Sequence, residues 1–73
     1  MKFLKAIHKD GYEEKYAIPG FRFYWLHNGS WERGSVSWEE MFDDLQAAGI
    51  KVVEWIPTAD ELDKLEAVYG RRD

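Results

Sequence analysis

Phe21–Trp31 reads FRFYWLHNGSW, five aromatic residues and one arginine gathered around the dipeptide Asn28-Gly29. Asn-Gly is a strong type I′ hairpin signal, because both central residues must take positive φ and these two tolerate it best. The turn predicts a ribbon in which Phe21–His27 pairs with Ser30–Val36. In that register Phe21, Phe23, Trp25 and His27 share one face with Val36, Gly34, Glu32 and Ser30. The opposite face holds Arg22, Tyr24 and Leu26 beside Ser35, Arg33 and Trp31. The first face is expected to be core, since three rings line up on it and Gly34 leaves room opposite Phe23. A slip of one residue would exchange the faces.

Upstream, Phe3–His8 and Tyr12–Ile18 flank Asp10-Gly11, a second two-residue turn signal. That turn sets Ile7 against Glu14, Lys5 against Tyr16 and Phe3 against Ile18. Phe3, Ile7, Tyr16 and Ile18 then form a core stripe, with Lys5 and Glu14 as a diagonal charge pair. The first segment also fits a helical face through Phe3, Leu4 and Ile7, so strand and helix both stay open. Pro19-Gly20 marks the turn into the aromatic ribbon.

Downstream, Ser37-Trp-Glu-Glu40 has the form of a capping box, with Val36 and Met41 as its hydrophobic staple. Trp38, Met41, Phe42 and Leu45 follow at helical spacing, and Gly49 stops the helix. Ile50–Ile56 reads as a strand ended by Pro57. Thr58-Ala-Asp-Glu61 is a second capping box, opening a helix through Leu62, Leu65, Val68 and Tyr69 that Gly70 stops. The element order is β-β-β-β-α-β-α, an α+β fold of antiparallel hairpins packed with two helices. All 73 residues form one domain, with residues 71–73 expected to fray.

Ten Lys and Arg against 14 Asp and Glu give a net charge of −4, unevenly spread. Residues 1–36 carry six basic and four acidic side chains, residues 37–70 two and nine, and the tail adds +1. A solvated face on each helix accounts for this, as does a bipolar molecule whose halves meet different surfaces. An acidic total with few basic residues argues against direct nucleic-acid binding. The opening MKFLKAIHKD is interrupted by charge and has no small-residue cleavage site, so no signal peptide is expected. No apolar run approaches a membrane span. Cysteine is absent, compatible with a reducing cytoplasm.

Catalytic chemistry has little to build on. His8 and His27, the two histidines, lie on different ribbons and read as ordinary strand or turn residues. Without cysteine or a histidine pair, no metal site is expected. Glu39-Glu40 and Asp43-Asp44 read as exposed helical acids. No cofactor is expected and no enzymatic activity. What remains is the hairpin face of Arg22, Tyr24, Leu26, Trp31 and Arg33 as a partner-binding surface, since Trp, Tyr and Arg dominate interface hot spots. Arg33 opposite Tyr24 can stack as a cation on its ring. The alternative is that a helix covers this face and makes Trp31 core.

Two resemblances add to these readings. Tyr24–Ile50, an aromatic strand, a glycine turn, Gly34 and then SWEEMFDDLQAAGI, is similar to GYF-type domains, which bind proline-rich peptides. It departs from them at Ser35, where the family has proline, and at Ile50-Lys51, where it has Tyr-Phe. The whole chain, from the opening MKFLKAIHKDGYEEKYAIPGF on, resembles a kind of small acidic bacteriophage protein that binds host bacterial RNA polymerase. Such a protein inhibits transcription initiation and promotes antitermination. The resemblance implies a partner in the host cytoplasm, the polymerase β′ subunit near the RNA exit channel, with an elongation factor as co-partner; the chain itself is expected to be a monomer. It has no motif that carries a site residue across. A third reading is an acidic nucleic-acid mimic acting through the helices.

Overall fold

The computed structural model describes residues 1–70; the expected fraying of 71–73 lies outside them. The chain runs β1 (Lys2–Ile7), β2 (Glu13–Ile18), β3 (Arg22–His27), β4 (Ser30–Ser37), α1 (Trp38–Ala47), β5 (Lys51–Glu54) and α2 (Ala59–Tyr69). The five strands form one antiparallel sheet in the order β4-β3-β2-β1-β5. This is the α+β architecture that the element order predicts, and it settles the first segment as a strand.

Each face of the sheet carries its own core and its own helix. Ala6, Tyr16, Ile18 and Phe23 pack under Leu45 of α1, with Leu4, Trp25, Val36, Trp38, Met41 and Val52 around them. Ala17, Tyr24, Trp31 and Trp55 pack under Leu65 of α2, with Phe3, Leu26 and Tyr69 around them. Of the expected stripe Trp38, Met41, Phe42 and Leu45, only Leu45 is fully buried; Trp38 and Met41 are half-buried against this core, and Phe42 is half-buried beside Trp38. On α2 only Leu65 is fully buried, while Leu62 and Val68 stay exposed.

The Asn28-Gly29 turn forms with φ of +50° and +79°, and it sets the expected pairs His27–Ser30, Leu26–Trp31, Trp25–Glu32 and Tyr24–Arg33. Beyond them the register shifts by two, so that Arg22 meets Ser37 and three residues of β4 lie opposite Phe23 alone. The Arg22 Nη1 donates to the Ser35 carbonyl across this bulge at 3.1 Å. Phe21, just before β3, lies off the core. Its carbonyl accepts from Trp38 N at 3.0 Å where the chain enters α1, and its ring is 74% exposed. The expectation that Phe21 faces inward with Phe23 is corrected on that ground.

The first hairpin slips by one residue from the expected register. Gly11 takes φ of +91° and its N–H donates to His8 O, while the Asp10 carboxylate accepts from Tyr12 N, making a three-residue turn. Ile7 therefore pairs with Glu13, Leu4 with Tyr16 and Phe3 with Ala17. An odd slip exchanges faces, so Leu4 and Ala6 join Tyr16 and Ile18, while Phe3 crosses to the other core and meets Trp55 edge-on at 5.9 Å. The Lys5–Glu14 pair is likewise replaced: Lys5 bridges Glu13 at 3.3 Å, and His8 meets Glu14 at 2.7 Å.

Both helix starts sit where the capping signals put them. Thr58 and Glu61 make the full reciprocal box. Ser37 Oγ accepts from Glu40 N at 3.2 Å, but the return bond from the Glu40 carboxylate is not formed. Gly49, at φ +74°, ends α1 with Gly49 N bonded to Gln46 O and Ile50 N to Leu45 O. This is a Schellman closure, and Ile50 joins Leu45 in the same core. β5 is consequently shorter than expected, Lys51–Glu54, and Ile56 points into solvent.

Candidate functional site

The five candidate binding residues share one side of the β3–β4 ribbon as the turn requires, but that side is not open. α2 lies over it. Trp31 and Tyr24 are only 5% and 6% exposed, and both belong to the core beneath α2. Trp31 Nε1 donates to the Glu61 carbonyl in the first turn of α2 at 2.9 Å, and Leu26 is half-buried beside it. The expectation of an exposed Trp31–Tyr24 face is therefore corrected: with both faces of the small sheet roofed by a helix, its aromatic rings supply two cores rather than one. Arg33 does lie opposite Tyr24, but among the described residues the cation set over a ring is Lys15, 5.2 Å from the centroid of Trp55.

What stays accessible is the end of this face beyond α2. Pro19, Phe21, Arg22, Tyr24, Arg33 and Tyr69 line a basin of about 340 Å³. Tyr69 from the last turn of α2 meets Tyr24 edge-on, with centroids 6.0 Å apart, and forms one wall. Phe21 stands at the mouth. Arg22 and Arg33 are exposed, and neither is ion-paired among the described residues. Of the five candidates the structure thus brings Arg22, Tyr24 and Arg33 together, and places Trp31 and Leu26 under the helix. Phe21 and Tyr69 join them unannounced. The Pro19-Gly20 turn just before Phe21 was the one signal in the sequence that this ring sits at a corner rather than inside a strand.

Two guanidinium groups beside exposed aromatic surface suit recognition of an anionic or aromatic group on a partner. Elsewhere, the Tyr16 hydroxyl titrates above its ordinary range. Burial, and then the Glu14 carboxylate that accepts its hydroxyl at 3.3 Å, push its pKa well above the usual tyrosine value. Among the described residues no group of His, Asp and Glu is arranged to hold a metal ion. None of the described helices is long and apolar enough to cross a membrane.

Compared with known proteins, the chain matches no family model, and no curated protein or solved structure matches it.

Proposed function

We propose that this chain is a non-enzymatic regulator that binds host bacterial RNA polymerase in the bacterial cytoplasm, inhibiting initiation and promoting antitermination. The support for the partner is the resemblance of the whole chain to small phage proteins of that kind, which also suggests the β′ region near the RNA exit channel and an elongation factor as co-partner. The support for the surface is one observation: Phe21 is 74% exposed beside Arg22 and Arg33, neither ion-paired among the described residues, at the mouth of an aromatic basin. Exposing a phenylalanine forgoes the gain of burying it, and aromatic residues with arginine are the composition of interface anchors.

The test is co-elution with core polymerase and holoenzyme on gel filtration, followed by titration of variants. Phe21→Ser and Arg33→Ala should each weaken binding, with an anchor residue costing about 2 kcal/mol, roughly thirtyfold. Their melting curves should stay close to the parent because both side chains are exposed. Asp43→Asn with Asp44→Asn tests the acidic-mimic alternative, since both carboxylates lie exposed on α1. If that pair is the damaging one, the mimic reading replaces this one. Capture of proline-rich peptides without polymerase would favour the GYF-like alternative.

A further inference from the structure

On the other face of the sheet, α1 leaves part of the β3–β4 ribbon uncovered. Glu14, Tyr16, Phe23, Trp25, Glu32 and Met41 line a groove there of about 300 Å³, roughly the size that holds one long side chain. Its floor is aromatic, and its rim carries the two carboxylates together with Arg33, Gly34 and Ser35 of β4. Trp25 is the cross-strand partner of both Tyr16 and Glu32, so the Glu32 carboxylate stands directly beside the indole. Glu14, two residues before Tyr16 on β2, projects from the same face.

The two carboxylates are not consumed by the fold. Glu32 is exposed and has no hydrogen bond or ion pair among the described residues. Glu14 accepts from His8 Nε2–H at 2.7 Å and from the Tyr16 hydroxyl at 3.3 Å, but both bonds fall on Oε1, leaving Oε2 for another donor. The opposite face satisfies the same combination internally, with Lys15 over Trp55. No described lysine or arginine lies over Trp25, whose ring meets His27 on one side with centroids 4.4 Å apart.

We propose that this groove binds an arginine side chain of a protein partner, its guanidinium stacked on Trp25 between Glu14 and Glu32 and its stem along Phe23 and Met41. An indole face attracts a cation, and a planar guanidinium both stacks and presents paired N–H donors to carboxylates, which an ammonium does not. The apolar floor accommodates the methylene stem. This groove shares Arg33 with the Phe21 basin but opens on the other face of the sheet, and it stands whether or not polymerase is the partner.

The probe is the peptide acetyl-Gly-Gly-Arg-Gly-Gly-amide, titrated into the full chain labelled with ¹⁵N and compared with its citrulline twin, which keeps the shape and removes the charge. The arginine peptide should shift the Trp25 indole N–H and the Gly34 amide in a saturable way, and the citrulline peptide should bind at least about fivefold more weakly. Glu32→Gln, an exposed position that leaves the core intact, should weaken the arginine peptide by about threefold and do nothing to the citrulline one. Equal binding of the two peptides, shifts confined to other residues, or full affinity in Glu32→Gln would each overturn the proposal. An acetylated pentaproline that shifts the same resonances more strongly than the arginine peptide would overturn it in favour of a proline-binding groove.

Discussion

Trp31, from one edge strand of the sheet, and Trp55, from the end of the other, meet over its α2 face with ring centroids 6.3 Å apart and planes 26° apart. Each spends its indole N–H on a backbone carbonyl, Trp31 on Glu61 and Trp55 on Tyr16. The pair therefore joins β4, β5, α2 and the central strand at one point, with no buried polar side-chain atom left unsatisfied among the described residues.

Trp31→Ala is expected to unfold the protein or nearly so. Truncating a buried tryptophan costs about 3–5 kcal/mol, a large part of what a small domain has. Urea melts should show the midpoint collapsing, while Trp31→Phe retains part of the packing and loses the bond to Glu61. A Trp31→Ala melt like the parent's would mean that the ring is dispensable to the fold.

Gly34→Ala should destabilise by more than the usual cost of a surface substitution. A Cβ at this position would sit 2.3 Å from Phe23 Cζ, too close without a shift of the ring. Overpacking of this kind costs about 1–3 kcal/mol. Shortening the ring in Phe23→Leu should relieve part of it, so the double variant should be more stable than the sum of the single losses predicts. Additive losses would show that the two side chains do not oppose each other.

The two helix caps should respond differently. Thr58→Ala and Ser37→Ala should each lose about 0.5–2 kcal/mol in thermal melts. Because only Thr58 has its bond returned, Glu61→Ala should also destabilise, whereas Glu40→Ala should change little. Equal effects of the two glutamate substitutions would contradict this asymmetry.

Alkaline stability should turn on Tyr16. Its folded pKa lies above the unfolded value near 10, first through burial and then through Glu14. Its contribution is thus fully present below pH ~10 and falls as pH rises from there toward the folded value, by at most about 1.4 kcal/mol per pH unit. Denaturant melts between pH ~9 and ~11.5 should show this slope in the parent and a shallower one in Tyr16→Phe. Identical slopes would assign the alkaline loss to other groups.

The elements were legible in the sequence because local chemistry decides them: Asn28-Gly29, the serine and threonine caps, Gly49 and the stripe through Leu45. Registers were less so. At Lys9-Asp10-Gly11 two turn lengths fit the same letters, and the longer one wins through the Asp10 bond to Tyr12 and the positive φ of Gly11. The β4 bulge at Gly34–Val36 has no counterpart in a period-two pattern. Which face would be roofed depended on where α2 docks, a long-range event that neither Trp31 nor Tyr24 announces locally. Arg22, Tyr24 and Arg33 do meet at the basin, while Trp31 and Leu26 lie beneath α2.

The strand order also says something about how the chain is assembled in time. The four strands β1–β4 form a meander joined by short turns, whereas β1 is completed on its outer side only by β5, with Leu4 paired to Glu54 fifty residues later. Distant pairings pay their loop-closure entropy before any contact rewards it, so the meander should form first and the β1–β5 seam last. During synthesis, β1 then waits as an open edge until residue 54 has left the ribosome. Arrival of Trp55 closes that edge through its bond to Phe3 O and adds its ring to the second core, which α2 later covers with Leu65. The last strand thus acts as the latch of the molecule, and a chain cut short before it would expose a sticky sheet edge rather than merely a smaller protein.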